Sequence, residues 1–407
     1  MDKPKILFIG DYCRTDYLSM LDKAGDACEF WFLYFASPVE EENNSYLNYG
    51  RAIYWSDYRS AQDLLKALAP HKVLFLYIDT YHAVILNMAC KAAGIFTYHL
   101  EHGMRADYGI AYDATISPQL YSKSSNRFRA LLYNLGDRIK ARLFLKNSIQ
   151  KFSKEDAAFA KEYISVRGKH NYLETFKIVA SPKRIANCYI TFSPKVYQAH
   201  QRYDHLPKNQ KAHFIGVPYF DKLAKVNSSI PERSILFIDQ PLAEKHLLQW
   251  SSEYKNDFAR ALATIAQEHN YKLYVKLHPK QDGSIWESIH TVEIINDSQL
   301  LKACGNIPIV IGFYSTYLMP FAAFKHTTLI TLENHPAGKL DVSKSFVDAG
   351  VAHPVYSLDD LPAAFENIEQ LHQQQLPNKK KFEQDWLYKF DGKAGERLRD
   401  ILLSDEL

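Results

Sequence analysis

The sequence predicts an α/β fold made of two successive domains, each built on an open parallel sheet. Short continuous apolar runs, such as residues 5–10, are typical of strands that are buried on both faces of such a sheet. Segments with apolar residues at helical spacing, such as residues 61–68, lie between these runs. The alternation occurs once before and once after a polar stretch at residues 225–233, which indicates two units of the same kind.

The first unit is predicted to combine buried strands with a helical insertion. Its strands are expected at residues 5–11, 29–36, 73–78, 95–99, 188–192 and 212–216. Helices are expected at residues 61–68 and 82–93, the second ending at Gly94, because glycine commonly follows the last helical turn. Residues 118–170 are basic and helix-like, and we interpret them as an insertion facing solvent, an anionic acceptor or a membrane surface. This domain is placed at residues 1–217.

The second unit, placed at residues 218–375, repeats the pattern. Its strands are expected at residues 234–241, 271–277, 292–295, 307–312 and 327–332. A long helix is expected at about residues 244–269 and a short one from Tyr317. From about residue 358 the chain reads as amphipathic helix interrupted by a loop rich in Gln and Lys at residues 373–381. Because parallel sheets bind ligands at their carboxyl ends, the active site is expected in a cleft between the two domains.

Composition narrows the class of protein. The 407 residues carry 49 Lys and Arg against 46 Asp and Glu, a balance that argues against a nucleic-acid binder. The 5 cysteines are scattered without a zinc or disulfide pattern, which fits a reducing cytoplasm. No run approaches the ~20 apolar residues of a membrane span, so we expect a cytoplasmic protein whose membrane contact, at the inner face, is peripheral.

Two common nucleotide-binding patterns are missing from the sequence. The first strand is followed by Gly10 alone, not by the GxGxxG of dinucleotide sites, and no GxxxxGK[ST] segment occurs. These absences argue against NAD enzymes and P-loop kinases. Four polar clusters stand out instead, each directly after a predicted strand.

The first cluster is Lys276, His278 and Pro279, at the end of the strand at 271–277. A histidine held extended by the following proline, with a lysine beside it, can donate hydrogen bonds to a phosphate leaving group. A histidine satisfied at a strand end is the alternative interpretation.

The second cluster is Tyr314, Ser315 and Thr316, after the strand at 307–312. Hydroxyls at the start of a helix can cap it and bind an anion together with the first free N–H groups. A simple helix cap explains the same residues, but two such clusters in one unit can hold a phosphate from two sides.

The third cluster is Asp239 and Gln240, at the end of the strand at 234–241. A carboxylate projecting from this strand into the cleft can act as a base or as a nucleophile on a sugar carbon. Capping of the following helix is the alternative role. Glu333, after the strand at 327–332, is a further carboxylate that is expected either to bind ribose hydroxyls or to cap a helix.

The fourth cluster lies in the first domain, where Glu101, His102, Gly103 and Arg105 follow the strand at 95–99. Glycine permits a tight turn, and the other three residues offer an acid, a proton carrier and an anion contact. A buried polar turn is the competing interpretation.

Taken together, these features resemble the GT-B glycosyltransferases, in which two Rossmann-like domains are followed by C-terminal helices, here residues 376–407, that return to the first domain. His278-Pro279 followed by Ser315-Thr316 resembles the HP and serine motifs of bacterial enzymes that use CMP-activated acidic sugars, the sialyltransferases and Kdo transferases. The resemblance implies that these residues bind the CMP phosphate and that Glu333 contacts the ribose. Lys276, Tyr314 and Gln240 are expected to contact the donor as well, and Arg105 is a candidate for an ion pair with the carboxylate of the donor sugar.

The resemblance is incomplete in the first domain. Bacterial sialyltransferases carry an acidic pair followed by glycine as their base, and this chain has no such triplet. Asp239 is similar to the strand-end aspartate of retaining β-Kdo transferase domains of O-antigen and capsule assembly proteins, where it is thought to be the nucleophile. The expected reaction is therefore retaining transfer of Kdo from CMP-β-Kdo to a GlcNAc-type sugar on a lipid-linked surface glycan. Glu101 and His102 are candidates for the second base.

Several alternatives stay open at this point. No cofactor or metal is expected, because no DxD motif or carboxylate cluster suited to Mg²⁺ is visible. The nearest rivals are an inverting CMP-sialic acid-dependent sialyl- or polysialyltransferase and a CDP-polyol phosphotransferase of the teichoic-acid type. A nucleotide-sugar epimerase and a non-catalytic glycan-binding module are less favoured, and the chain is compatible with being one domain of a larger assembly protein.

Overall fold

A computed structural model describes residues 3–10, 14–34, 44–103, 135–245, 247–279 and 281–404. The described residues form two compact units. The N-terminal unit contains residues 3–221 and 388–404 within these ranges, and the C-terminal unit contains residues 222–387. Arg105 and the part of the expected insertion that precedes Leu135 lie outside the described residues.

The N-terminal unit is built on a seven-stranded parallel sheet. Its strands are β1 (Lys5–Ile9), β2 (Glu29–Tyr34), β3 (Gly50–Tyr54), β4 (Lys72–Phe75), β5 (Phe96–Leu100), β6 (Cys188–Thr191) and β7 (Lys211–Phe214). The strand order is β3-β2-β1-β4-β5-β6-β7, so the chain winds outward from β1 to one edge and then from β4 to the other. The β3 strand was not expected from the sequence, because its polar residues break the apolar run that marks the other strands.

Helices cover this sheet. They are α1 (Thr15–Ser19), α2 (Ala61–Leu68), α3 (Tyr81–Ala92), α4 (Leu135–Gln150), α5 (Lys154–Arg167), α6 (Tyr172–Ile178) and α7 (Pro194–Tyr203), with short 3-10 turns at Ser45–Asn48, Trp55–Asp57, Pro182–Arg184, Pro218–Phe220 and, beyond the unit boundary, Leu223–Lys225. Burial of apolar residues from β1, β4, α2 and α3 in one cluster stabilises the unit. The part of the basic segment from Leu135 onward is helical, as the sequence predicts.

The C-terminal unit is built on a six-stranded parallel sheet. Its strands are β8 (Ser234–Ile238), β9 (Lys272–Lys276), β10 (Val292–Ile294), β11 (Ile309–Gly312), β12 (Thr328–Leu332) and β15 (His353–Val355), and their order in the sheet is β10-β9-β8-β11-β12-β15. The short strands β13 (Asn334–His335) and β14 (Gly338–Lys339) pair in a separate small hairpin. The winding of the six-stranded sheet repeats that of the first sheet, which places the switch in strand order between β8 and β11. Ligands of open parallel sheets bind at the carboxyl ends of strands near such a switch.

The remaining helices that the structure describes belong to the C-terminal unit, except the last, which follows it in sequence. They are α8 (Ser252–Glu268), α9 (Ser284–Glu287), α10 (Asp297–Ala303), α11 (Met319–Ala323), α12 (Lys344–Asp348), α13 (Leu361–Glu366), α14 (Ile368–Phe382) and α15 (Ala394–Leu403), with 3-10 turns at Leu247–Gln249, Thr316–Leu318 and Leu358–Asp360 and a π-helical turn at Glu383–Leu387. The α15 helix belongs to the N-terminal unit, where the Asp221 carboxylate accepts hydrogen bonds from the first N–H groups of the helix at 2.9 and 2.8 Å. At the carboxyl end of α15, the Lys72 ammonium donates hydrogen bonds to backbone carbonyl groups of the helix and of Ser404, which follows it.

Two sequence expectations about helices in this region are wrong. The helix expected from about residue 244 begins only at Ser252, because Leu248 and Gln249 adopt the left-handed region with φ of 52° and 60°. The loop expected at residues 373–381 is part of α14, since Gln and Lys are good helix formers and the helix accommodates Pro377.

Candidate active site

The carboxyl edge of the C-terminal sheet brings three of the expected clusters, and Glu333, to one place. The strands β9, β8, β11 and β12 are consecutive neighbours in the sheet, and each is followed directly by one of these polar sequences. Because parallel strands end at the same edge, Asp239, His278, Ser315 and Glu333 all lie along one side of the unit.

Hydrogen bonds tie three of the four loops together. The side-chain oxygen of Gln240 accepts from the Tyr314 N–H at 3.2 Å, which joins the loops after β8 and β11. The Gln281 side chain accepts from the His278 N–H at 2.9 Å and donates to Asp239, which joins the loops after β9 and β8. Hydrogen bonds therefore connect the three loops in one framework, in which Gln240 links the loop after β8 to the loop after β11.

Asp239 is the centre of this framework and is only 5% exposed. One carboxylate oxygen accepts from the Trp286 indole N–H at 2.7 Å and the other from the Gln240 N–H at 2.8 Å. The Lys255 ammonium lies 3.8 Å away and also pairs with Glu244. Burial raises the pKa of Asp239 to about 6, although Lys255 and the Trp286 hydrogen bond act in the opposite direction.

The position of Asp239 differs from the open carboxylate expected from the sequence. The side chain is turned into the unit because indole and amide N–H groups there satisfy its oxygens. What this geometry supports directly is the anchoring of the surrounding loops.

The Tyr314–Thr316 segment is partly exposed. Ser315 accepts a hydrogen bond from the Tyr317 N–H at 3.2 Å, as expected for a cap, but only the three-residue turn Thr316–Leu318 follows before α11. The long helix start that would supply a strong anion site is not formed here. The contribution of this segment to anion binding therefore depends on its hydroxyl and N–H donors.

The loop after β9 exposes the other expected phosphate contacts. His278 and Lys276 are partly exposed, and Pro279 is exposed. The Lys276 ammonium donates to the Leu277 carbonyl at 2.9 Å and lies 3.1 Å from the Asp297 carboxylate. The Lys276 side chain is only 12% exposed, whereas that of Asp297 is 75% exposed, so the pair is open to solvent on the carboxylate side.

Glu333 is placed differently from the ribose contact expected of it, because its side chain is fully buried. One oxygen accepts from the Ser343 N–H at 3.2 Å, and the other has no hydrogen-bond partner among the described residues. Burial raises the pKa of Glu333. In this conformation a ribose hydroxyl cannot reach the carboxylate without a rearrangement of the loop.

The N-terminal unit places Glu101 and His102 at the carboxyl end of β5, next to β6. The Glu101 carboxylate is 0% exposed. One of its oxygens accepts from the N–H groups of His102 and Gly103 at 3.2 and 3.4 Å. The partly exposed His102 ring packs edge-to-face against Tyr17 and Tyr77, with centroids 5.1 and 5.4 Å away.

The structure adds two residues that the sequence analysis did not select. The second oxygen of Glu101 is hydrogen-bonded to the Nε2 atom of His200, whose Nδ1 atom lies 2.7 Å from the Asp204 carboxylate. His200 lies on α7, and Asp204 ends that helix four residues later. The spacing of four residues was visible in the sequence, but the contact with Glu101 spans 99 residues and depends on the β5–β6 pairing.

The described residues show neither a metal-binding cluster nor a membrane-spanning helix. Within the described ranges, no group of three or more His, Cys, Asp or Glu side chains is arranged to hold a metal ion. None of the described helices combines the length and the apolar composition that crossing a membrane requires.

Solved glycosyltransferase structures resemble this chain over almost its whole length. The calicheamicin glycosyltransferase CalG4 matches with a TM-score of 0.54 and 11% identity, covering 99% of this chain and 98% of that chain. UGT71G1 of Medicago truncatula, complexed with UDP-glucose, gives 0.52 and 10%, covering 99% of each chain. The wall teichoic acid polymerase TagF gives 0.52 and 11%, covering 98% and 89%. At these identities the likeness shows the fold alone, which is GT-B.

Sequence comparison identifies the family. No curated protein sequence matches the chain. The family model of the alpha-2,8-polysialyltransferases (POLYST) matches residues 39–334, which is more than half of the chain and includes the candidate residues from Glu101 to Glu333. The chain therefore belongs to the alpha-2,8-polysialyltransferase family and is a glycosyltransferase with the GT-B fold.

Proposed function

We propose that this enzyme transfers sialic acid from CMP-sialic acid to a glycan acceptor, with inversion at the anomeric carbon. Membership of the polysialyltransferase family supports a nucleotide-sugar donor and a glycan acceptor. The observation that carries the more specific proposal is the carboxyl edge of the C-terminal sheet, where His278 follows β9 and the Ser315-Thr316 hydroxyls follow β11, on either side of the loop after β8. These donors suit the single phosphate of a CMP donor.

The donor-binding role follows from the chemistry of these side chains. When the bond between the sugar and the phosphate breaks, negative charge accumulates on the departing CMP phosphate. His278, Lys276 and the hydroxyls of Ser315 and Thr316 can donate hydrogen bonds to that charge. No step of this proposal requires a metal, and the absence of a metal requirement remains a prediction.

Glu101 is our candidate for the base. The chain has no acidic pair followed by glycine of the kind that bacterial sialyltransferases use as their base, but Glu101 follows β5 directly and is followed two residues later by Gly103. The Glu101 oxygen that faces the turn is bonded to two N–H groups at long distances, 3.2 and 3.4 Å. Because Glu101 is fully buried, an acceptor hydroxyl reaches this oxygen only after the turn at His102 and Gly103 opens and these two bonds are replaced. The acceptor oxygen then bonds to the anomeric carbon, its proton passes to Glu101, and CMP leaves.

Retaining transfer of Kdo is the second candidate function, and Asp239 is the observation that favours it. Asp239 ends β8 at the same edge as the phosphate donors, as a nucleophile would. In the structure both of its oxygens are engaged by N–H donors and the side chain is buried. We therefore place inverting sialyl transfer first and assign Asp239 the role of holding the donor loops.

The α4 helix supports contact with a membrane-bound acceptor. Ile139 and Leu143, one turn apart, are 52% and 49% exposed. Lys140, Arg142 and Lys146 are exposed on the same helix. An apolar strip flanked by cations suits the anionic surface of a bilayer, so we propose that the acceptor is lipid-linked and that the enzyme acts at the inner face of the cytoplasmic membrane.

A transfer assay tests the donor. CMP-sialic acid and CMP-Kdo, the latter generated in situ, are offered separately with oligosialic and aryl N-acetylglucosaminide acceptors, and the product configuration is read by NMR. The proposal predicts an α-sialoside product. A β-Kdo product would contradict it and support the Kdo transferase. A phosphorus-containing product from a CDP-polyol offered in a parallel reaction would support the phosphotransferase, and an isomerised nucleotide sugar formed without acceptor would support the epimerase.

Two variants test the donor site in the same assay. We expect His278→Ala to lower kcat/KM by about a hundredfold or more, the usual effect of removing one donor to a developing charge. His290→Ala is the control, because His290 is an exposed histidine of the same unit outside this edge. Equal activity of both variants would remove His278 from the site.

A further inference from the structure

The N-terminal unit contains a buried row of three titratable groups behind the Glu101 turn. Glu101 and the His200 ring are both fully buried, and the Asp204 side chain is 6% exposed. The His200 ring lies between the two carboxylates, bonded through Nε2 to Glu101 and through Nδ1, at 2.7 Å, to Asp204. We call these three residues the buried array.

The number of protons in this array follows from hydrogen-bond chemistry. A neutral imidazole has one N–H and one lone pair, so it can donate to only one carboxylate. The other ring nitrogen would then face a carboxylate oxygen lone pair to lone pair, which is unfavourable in a site without water. Both contacts are satisfied when the array holds one additional proton, with His200 as an imidazolium between two anions.

The charges around the array are consistent with this state. The guanidinium of Arg184 is buried, donates to the Asp204 carbonyl and lies 3.8 Å from the centre of the Phe176 ring. Among the described groups, the carboxylates of Glu101 and Asp204 are balanced by Arg184 and a protonated His200. A neutral His200 would leave this described set with a net negative charge, and burial of such a charge is costly at low dielectric.

The neighbouring strands contribute rings to the surroundings of His200. His99 on β5 and Tyr189 on β6 lie 4.8 and 5.5 Å from the His200 ring, edge-to-face. His99 in turn stacks on Tyr189 with centroids 4.7 Å apart. The phenol of Tyr219, whose pKa is raised by burial and by charges that include that of Glu101, is a further titratable group near the array.

We propose that His200, which is hydrogen-bonded to Asp204, is a positioning residue for Glu101. Its protonated ring donates a hydrogen bond to Glu101 and so keeps Glu101 anionic, which allows Glu101 to act as the base. The inference rests on the proposed function in taking Glu101 as the base. A buried carboxyl without a cationic partner would be protonated at neutral pH and could not accept a proton from the acceptor hydroxyl. During transfer that proton passes to the turn-facing oxygen of Glu101, while His200 retains both of its own protons.

The first test reads the proton directly. Long-range ¹H–¹⁵N NMR of the whole protein, with His200 assigned through His200→Gln or through the shift caused by Asp204→Asn, should show both ring nitrogens protonated at about pH 8, well above the ordinary histidine value of about 6.5. A neutral His200 at that pH would overturn the proposal. This measurement needs no substrate, so it remains decisive if CMP-sialic acid is not the donor.

The second test reads the role of that proton. His200→Gln should lower kcat about a hundredfold and move the acid limb of the kcat profile up by at least about one pH unit, because Glu101 loses its cation. Asp204→Asn, which still accepts from Nδ1, should give a smaller shift in the same direction. An unchanged acid limb in a folded, CMP-binding variant would overturn the proposal.

A matched control separates this role from the loss of any buried histidine. His82 lies in the same unit, and burial lowers its pKa to about 4 while its Nε2 atom contacts the Ala141 carbonyl at 3.1 Å. His82→Gln should lower stability without moving the acid limb. Equal shifts for the two glutamine variants would contradict the positioning role of His200.

Discussion

Two strand-end carboxylates, Glu101 in the N-terminal unit and Asp239 in the C-terminal unit, have the same location in their sheets but different partners. Both follow a buried strand at the carboxyl edge, and both are almost fully buried. Asp239 is satisfied mainly by N–H groups of neutral side chains and backbone, with Lys255 at 3.8 Å, whereas Glu101 is bonded to His200.

This difference shows how position and partner together determine a role. Neutral N–H donors can hold a loop in place by hydrogen-bonding to a carboxylate, but they cannot fully offset the cost of burying its charge. A histidine that carries a second carboxylate can hold a proton and so control the charge of its partner. The comparison therefore assigns anchoring to Asp239 and proton transfer to Glu101.

The largest effect that would sharpen this comparison is expected for Glu101→Gln. The amide keeps the shape of the side chain but cannot take the acceptor proton, so we expect kcat to fall about a thousandfold, within the range of general-base contributions. CMP affinity, measured by calorimetry, should be unchanged. A variant that retains kcat would return the role of base to His102, and His102→Ala, assayed alongside, would then show the loss instead.

Asp239→Asn should have a much smaller effect on transfer. Asparagine still accepts from the Gln240 N–H, but its NH₂ group then opposes the Trp286 and Gln281 donors, which should cost about 2 kcal/mol of stability. We expect kcat/KM to fall by no more than about tenfold, without a sugar adduct in intact-mass spectra; loss of a nucleophile would cost far more.

A matched variant distinguishes anchoring of the donor loops from general destabilisation. Asp221 is a partly buried carboxylate that is also bonded to two N–H groups, at 2.9 and 2.8 Å, but these belong to α15 in the N-terminal unit. Asp221→Asn should lower stability and leave CMP binding unchanged, whereas Asp239→Asn should weaken both. A fall in kcat of about a thousandfold or more for Asp239→Asn, with Asp221→Asn close to wild type, would break the comparison and restore the retaining mechanism.

How much of this could be predicted from the sequence depends on the range of the contacts involved. Apolar runs and the residues that follow them identified the edge of the C-terminal sheet, because strand and loop are local features. The partners of Asp239 lie 42 and 47 residues further along the chain, and His200 lies 99 residues from Glu101. Which distant side chain meets a strand end depends on helix placement and strand order, which local patterns do not contain.

The errors have the same origin. Asp239 was expected to project outward because its strand ends there, and only the position of Trp286 on α9 shows why it turns inward. The loop was expected at residues 373–381 because the segment is polar. Gln375, however, is buried, and its side-chain amide accepts from the Leu329 N–H and donates to the Leu329 carbonyl. Polar residues that are buried by tertiary contacts look like loop residues in a sequence.

Stability as a function of pH offers a further test of the state of Asp239. Its pKa rises from 3.8 to about 6 on folding, so the folded protein holds this proton more tightly than the unfolded chain. The contribution of Asp239 to the free energy of unfolding should therefore fall as pH rises from 3.8 to about 6, by at most roughly 3 kcal/mol.

The comparison between wild type and Asp239→Asn isolates this contribution, because asparagine does not titrate. Denaturant unfolding of both proteins across this range should show the stability advantage of the wild type narrowing as pH rises. An advantage that grows with pH would mean that the folded state favours the ionised carboxylate, and the conclusion that neutral donors do not fully offset the cost of burying Asp239 would then be wrong.

The smallest effect is expected for Trp286→Phe, which removes a single donor to Asp239 and keeps an aromatic ring beside Phe237, now 5.4 Å away. Loss of this hydrogen bond should cost about 1–2 kcal/mol and raise the pKa of Asp239 further, because the bond favours the ionised form. Trp31→Phe is the control, since the Trp31 N–H has no hydrogen-bond partner among the described residues. If both variants lose the same stability, the indole of Trp286 contributes through packing, and the N–H network around Asp239 is weaker than its geometry indicates.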